Sequence, residues 1–163
     1  MQHTHGAIWV IIAEALLGFG DKATEIFKMI NPIEHSRTKE ASNKYRVEPY
    51  VIAADVYGAG NLAGRGGWTW YTGSSSWYFK AGIEYLLGLK IEEGYLKIEP
   101  CIPKEWKEYQ IQYRYKESIY NIKVINSEGK NTGITKVILD GEEVKNKIKL
   151  DGTRNIYNVE VIM

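Results

Sequence analysis

The densest chemistry in this sequence lies in Gly66-Gly67-Trp68-Thr69-Trp70-Tyr71-Thr72-Gly73-Ser74-Ser75-Ser76-Trp77-Tyr78-Phe79, where six aromatic rings fall within the twelve residues from Trp68 to Phe79. Aromatic faces stack on the apolar faces of sugar rings, while hydroxyls and backbone N–H groups bind polar edges. The same composition also serves helix-to-helix core packing, and on composition alone both readings stand. Within the run, Thr72-Gly73-Ser74 precedes an apolar helical stretch. Unpaired N–H groups and the positive end of the helix dipole would favour an anion such as phosphate there, and Gly73 would let it come close. A plain N-cap without ligand uses the same residues.

Other constellations are thinner. His3, His5 and His35 are the only imidazoles. His3-x-His5 does not make a metal site, and with one cysteine no four-ligand Cys or Cys/His zinc centre can be assembled. His5 has two remaining roles, a structural hydrogen bond or an anion contact, because a charged imidazole donates from both nitrogens. Glu48 and Asp55 are seven apart, so on a helix they would share a face as a carboxylate pair, although most such acids are solvated or capping. Gly58-x-Gly60-x-x-Ala63 imitates a dinucleotide fingerprint but follows a helical pattern rather than a strand, and no Lys-Ser or Lys-Thr completes a P-loop. It reads as a turn-rich loop.

Four helices are expected to position these residues. Ile8, Ile11, Ile12, Ala15, Leu16 and Phe19 recur at helical spacing, and Trp9, Val10, Ala13 and Leu17 fill the remaining face, so this first helix must be buried. Gly18 and Gly20 end it. Asp21 is placed to cap a second helix, with Ala23, Ile26, Phe27 and Ile30 as a one-sided stripe closed by Asn31-Pro32. After a polar stretch from Glu34 to Lys44, Glu48-Pro49 should open a third helix reaching Gly58. The fourth runs from Thr72-Gly73-Ser74 through Trp77, Tyr78, Ala81, Tyr85 and Leu86 to Gly88. Beyond Leu89 the period becomes two, predicting strands at Tyr95–Glu99, Ile111–Tyr115 and Ile119–Ile125, with hairpin turns at Asp140-Gly141 and Asp151-Gly152. The fold class is therefore α+β, helices then an antiparallel sheet or sandwich. So much apolar helix surface cannot be buried within this length, so the helical half should dock on more polypeptide or oligomerise.

Composition narrows the function. The chain has 163 residues, 44% hydrophobic and 25% charged, with 21 Lys and Arg against 20 Asp and Glu. That is an ordinary globular composition with no basic stripe, so nucleic acid is not an expected partner. The longest apolar run, Ala7 to Ala13, falls far short of a membrane span of about 20 residues. No targeting pattern precedes it, and a single cysteine is compatible with a reducing cytoplasm, the expected location.

Several ordered segments carry a resemblance: Thr4-His5-Gly6-Ala7-Ile8-Trp9, Asn31-Pro32-Ile33-Glu34-His35-Ser36-Arg37-Thr38, Tyr45-Arg46-Val47-Glu48-Pro49-Tyr50-Val51, Gly64 through Ser74, and Ile98-Glu99-Pro100-Cys101-Ile102-Pro103. Together they resemble the C-terminal part of glycoside hydrolase family 94, the cellobiose and related β-glucoside phosphorylases, and are most similar to the phosphorylase-like end of cyclic β-1,2-glucan synthases. The resemblance runs from residue 4 to about 115. It implies the terminal helices of an (α/α)6 toroid over residues 1–89, followed by a small antiparallel β-sandwich domain over 90–163.

What the resemblance implies chemically is inverting phosphorolysis of a β-glucosidic bond, giving an α-sugar 1-phosphate. Inorganic phosphate is then the co-substrate and no cofactor or metal is needed. His5, Thr72 and Gly73 fall on the family's phosphate-binding residues. Glu48, Trp68, Trp70 and Tyr71 fall near the sugar subsites. The family's general-acid Asp lies on a stretch of the toroid with no counterpart here, so no catalytic residue is assigned and the isolated chain is expected to be inert. The implied partners are a β-linked glucan or disaccharide, phosphate and the remainder of the toroid; a homodimer is also compatible. Two other readings compete. One is a free-standing, non-catalytic carbohydrate-binding module. The other is a different toroid hydrolase, against which His5 with Thr72-Gly73 argues.

Overall fold

The computed structural model describes residues 2–70, 72–153 and 155–163. Helix α1, Thr4–Leu16, packs antiparallel-hairpin fashion on α2, Gly20–Met29, and both pack on a third helical stretch formed by α4, Ser74–Lys80, and the π-helical turns Ala81–Leu86 that continue it. Ile8, Ile11, Ala15, Ala23, Ile30, Ala81, Leu86 and Cys101 form their common core, where burial pushes the Cys101 thiol up to about 11. Gly18, at φ 85°, ends α1 with bonds from Gly18 N–H to Ala15 O and from Phe19 N–H to Glu14 O, the paired pattern of a Schellman cap. The opposite face of α1 is another matter. Trp9, Val10, Leu16 and Leu17 stand exposed, so the apolar surface that should be buried has no covering partner among the described residues.

The expected third helix is absent. The helix forms one segment earlier, as α3, Lys39–Tyr45, capped by the Thr38 hydroxyl accepting from Ala41 N–H at 3.1 Å. Arg46 stops it with a left-handed φ of 53°. Residues 48–54 are turns and extended chain, because Tyr45, Val47, Val51 and Ala53 bury together in a small separate cluster that helical spacing could not assemble. Glu48 and Asp55 therefore do not share a helix face. Asp55 lies instead in the short strand β2, Asp55–Val56, paired antiparallel with β1, Gln2–His3.

Among the described residues the β half holds eight further strands. Strands β3, Leu89–Glu92, β4, Tyr95–Ile98, and β9, Ile148–Lys149, make a three-stranded antiparallel sheet. Strands β5, Glu108–Tyr115, β6, Ser118–Ile125, β7, Lys136–Leu139, β8, Glu142–Val144, and β10, Ile156–Ile162, make a five-stranded sheet in the order β5-β6-β10-β7-β8. Leu89, Leu96, Ile98 and Ile148 from one sheet and Tyr120, Ile122, Val124, Val137, Val159 and Val161 from the other share one core. The half is not wholly antiparallel: β10 inserts beside β6 in parallel register, Ile156 opposite Ile119.

Asp140-Gly141 makes the expected hairpin, with φ 49° and 90° linking β7 to β8. Asp151-Gly152 does not. It joins strands of different sheets, and the Asp151 carboxylate is occupied by Thr153 N–H at 2.7 Å and the Tyr157 hydroxyl at 2.8 Å, an Asx-type turn within a crossover.

The two halves are stitched tightly. The Tyr109 hydroxyl donates to Leu87 O at 2.6 Å, Cys101 N–H to Leu86 O at 2.9 Å, and Glu99 N–H to Gly88 O at 2.8 Å. Asp21 belongs to this seam rather than to a cap: α2 has no side-chain cap, and the Asp21 carboxylate accepts from Lys104 N–H at 3.0 Å. That backbone bond, helped by the Asn131 amide and the Lys104 charge and opposed by slight burial, holds the Asp21 carboxyl below its ordinary value. A depressed folded-state value means the contribution is present above the usual carboxylate range and is lost as pH falls through the lower folded value. Asp21→Asn is accordingly expected to narrow the stability difference between pH 7 and pH 2, with a shift of at most about 3 °C at neutral pH because the group is exposed and screened. Thermal melts of both proteins across that range check it; an unchanged acid dependence would exclude Asp21.

Candidate functional site

The N-terminus of α1 is held against the Trp68–Ser74 segment by a relay of backbone bonds. Thr4 N–H donates to Ala54 O at 2.9 Å, and Ala54 N–H donates to Trp68 O at 2.7 Å. β1 pairs with β2, and β2 pairs onward through Val56 with Gly66. In this zipper Gly67 N–H donates to Asp55 O at 2.9 Å, and a Cβ at Gly67 would make the end of the Asp55 side chain turn aside. His3 serves as the N-cap of α1, its Nδ1 accepting from Gly6 N–H at 3.4 Å. Among the described residues no three His, Cys, Asp or Glu side chains converge as a metal site would need.

The relay brings His5 and Gly73 together across 68 residues of sequence (73 minus 5): a Cβ on Gly73 would sit 3.8 Å from His5 Cε1. Gly73 has φ −64°, ordinary helical geometry, so its backbone does not demand glycine; the missing side chain leaves open space beside the imidazole. Trp9 meets the His5 ring edge-on at 5.2 Å, Trp77 tilts against it at 6.0 Å, and His3 lies parallel at 6.3 Å. Inside this aromatic surround, His5 Nε2 is buried and has no hydrogen-bond partner among the described residues. A buried orphan nitrogen costs about 1–3 kcal/mol, so its persistence on a ring that borders open space marks a place for a hydrogen-bonding group. One residue before Gly73, Thr72 Oγ1 accepts from Ser74 N–H at 3.2 Å and lies 3.0 Å from Ser74 Oγ. Thr72, not Ser74, thus organises the turn into α4.

A second group adjoins. Trp70 takes φ 68°, a strained value for a bulky residue, and its indole N–H points to Glu48 Oε1 at 3.4 Å. Tyr50 meets the Trp70 ring edge-on at 6.1 Å. Trp70 is 59% exposed, Tyr50 74% and Trp68 64%, and a cavity of about 300 Å3 lies among Tyr50, Val51, Ile52, Trp70 and Ser75. Core packing therefore does not account for Trp68 and Trp70, although Trp77 and Tyr78 do pack on the helical core. Tyr71 lies outside the described residues. Tyr50 and Ser75 were not singled out by sequence; the signal for Tyr50 was its place in Glu48-Pro49-Tyr50, next to the acid that holds Trp70.

A helical half with a histidine–glycine pocket and exposed aromatics, followed by a two-sheet β half, is matched on both sides by known families. Residues 1–88 match the glycosyl hydrolase 94 superfamily, catalytic domain, and residues 89–154 the glycosyl hydrolase family 65, C-terminal domain. The chain belongs to the glycosyl hydrolase 94 superfamily. It is 42% identical over 145 residues to the cyclic beta-(1,2)-glucan synthase NdvB of Rhizobium meliloti (strain 1021), covering 89% of this chain and 5% of that protein. It is 32% identical over 143 residues to the N,N'-diacetylchitobiose phosphorylase of Vibrio furnissii, covering 86% of this chain and 17% of the relative. To the solabiose phosphorylase of Paenibacillus borealis it is 28% identical over 163 residues, 99% of this chain and 21% of the relative. The chain thus spans about a fifth or less of the length of these relatives.

Proposed function

We propose that this chain is the C-terminal part of an inverting β-glucoside phosphorylase or cyclic β-1,2-glucan synthase of the cytoplasm and supplies part of its phosphate site. Residues 1–89 close an (α/α)6 toroid, and residues 90–163 form the appended β domain. The observation that carries the reading is the buried Nε2 of His5, without a hydrogen-bond partner among the described residues, on a ring whose Cε1 borders the space left open by Gly73. The uncovered Trp9 and Val10 of α1 support docking on further toroid helices.

In this reading His5, Thr72 Oγ1 and the Gly73 N–H donate to phosphate oxygens, and Trp68, Trp70, Tyr71 and Glu48 wall the sugar. A phosphate oxygen attacks the anomeric carbon as the glycosidic C–O bond breaks, and a carboxylic acid elsewhere in the toroid protonates the leaving oxygen. The α-sugar 1-phosphate leaves with inverted configuration; phosphate takes the place of the water in an inverting hydrolase, so no carboxylate base, metal or cofactor is called for. Donors already in place stabilise the charge without reorganising.

The test is phosphate-dependent release of sugar 1-phosphate from β-linked glucan. The full gene product carrying this chain is expected to release it and the isolated chain to release none. Product from the isolated chain would overturn the division of labour, and none from the full product would overturn the function. A free-standing sugar-binding module is the second reading, favoured by the exposed Trp68, Trp70 and Tyr50; oligosaccharide binding without turnover by the full product would select it.

A further inference from the structure

A cleft of about 610 Å3 opens where the helical and β halves meet, bounded by the last turn of α1 and the π-helical turn on one side and by the 132–137 segment and β8 on the other. It reaches Ala15, ten residues along α1 from His5, which is about 15 Å at the helical rise of about 1.5 Å per residue. We propose that this cleft is a second saccharide site, holding a segment of neutral β-linked glucan away from the phosphate site. The choice of sugar rests on the functional reading above; the existence of a site for a neutral polyol does not.

Three features carry it. Its volume suits a ligand of two to three hexose rings, within the range of about 300–1,000 Å3 typical of ligand pockets. Its charges come compensated: Lys90 Nζ lies 2.6 Å from Glu99 Oε2, and Lys136 Nζ lies 3.0 Å from Glu143 Oε2. Two neutralised pairs create no field that would select an anion or a cation, yet each presents donors and acceptors together, as a sugar hydroxyl requires. Finally, Tyr85 adds an aromatic face, and neither its phenol nor the Thr132 hydroxyl has a hydrogen-bond partner among the described residues. The wall is also preformed. Asn146 is fixed by accepting from Ile98 N–H at 3.0 Å and donating to Ile98 O at 2.8 Å.

Calorimetric titration of the full gene product with β-1,2-linked glucotetraose and with cellotetraose tests this. Binding to a variant carrying both His5→Ala and Trp70→Ala, in which the phosphate and sugar contacts of the first site are disabled, is expected to persist for at least one of the two sugars. Tyr85→Ala and, separately, the exposed Lys136→Ala should each weaken that binding at least tenfold. Lys136→Ala serves where Tyr85→Ala lowers stability. Unchanged affinity in both cleft variants, or complete loss of oligosaccharide binding when His5→Ala and Trp70→Ala are combined, would overturn the proposal. Absence of phosphorolysis in the unsubstituted full product, with cleft binding intact, would overturn the functional reading and leave this site standing.

Discussion

Gly88→Ala is expected to destabilise the chain by about 3 kcal/mol or more, lowering the thermal midpoint by roughly 10 °C, because it combines two separate penalties. Gly88 has φ 76°, where a Cβ meets its own backbone, and a Cβ there would also overlap the Glu99 carbonyl and the Pro100 nitrogen. The glycine ends the helical half and its carbonyl accepts from Glu99 N–H at the seam, so neither side can retreat without breaking that bond. Two other glycines separate the penalties. Gly94, at φ 79° in the β3–β4 turn with nothing within 4 Å, carries only the conformational one, and Gly94→Ala should cost about 1 kcal/mol. Gly20 does not have positive φ, but a Cβ there would overlap the Ile102 carbonyl, so Gly20→Ala carries only the steric one. Chemical denaturation of the three variants should therefore rank Gly88→Ala worst. If Gly88→Ala were no worse than Gly94→Ala, the rigid seam between the halves would be refuted.

These seam glycines also show what could be read in the sequence. Gly18, Gly88 and the Asp140-Gly141 pair end elements as local rules require, since their roles depend on backbone conformation alone. Strands β4, β5 and β6 were legible because each buries alternate residues and exposes the rest. The segment after Tyr45 was not. Pro49 is compatible with a helix start, but the choice was made by Tyr45, Val47, Val51 and Ala53 packing with one another, a tertiary preference that no periodicity expresses. Asp21 and Asp151 misled for a related reason: each has the right type for a cap or turn, and each is used at longer range, by Lys104 N–H and by the Tyr157 hydroxyl. At the candidate site, residue types pointed to His5 and Thr72-Gly73 separately. Their adjacency depends on the Thr4–Ala54–Trp68 relay, which is backbone bonding between distant segments and leaves no mark on side-chain pattern.

That adjacency gives the second large effect. In the full gene product, His5→Phe is expected to lower kcat/KM for phosphate by about 100-fold or more, the usual range for removing one preorganised donor at a charged centre. The same change should leave stability without phosphate unchanged or slightly higher. An apolar ring of similar shape relieves the burial of an unpartnered nitrogen and keeps the contacts with Trp9 and Trp77. A purely structural histidine predicts the reverse, loss of stability with little change in phosphate use. Gly73→Val tests the other wall, since a branched side chain would fill the space beside His5 Cε1 while the helical φ of −64° tolerates it. Thr72→Val is a poorer probe, because Thr72 Oγ1 also accepts from Ser74 N–H and its loss would loosen the turn. Linkage gives an assay independent of turnover: phosphate at about 100 times its Kd should stabilise the native protein by about 2.7 kcal/mol, and His5→Phe should abolish most of that gain. Equal stabilisation of both proteins by phosphate would show that the anion binds elsewhere, and that the orphan nitrogen of His5 is there for another purpose.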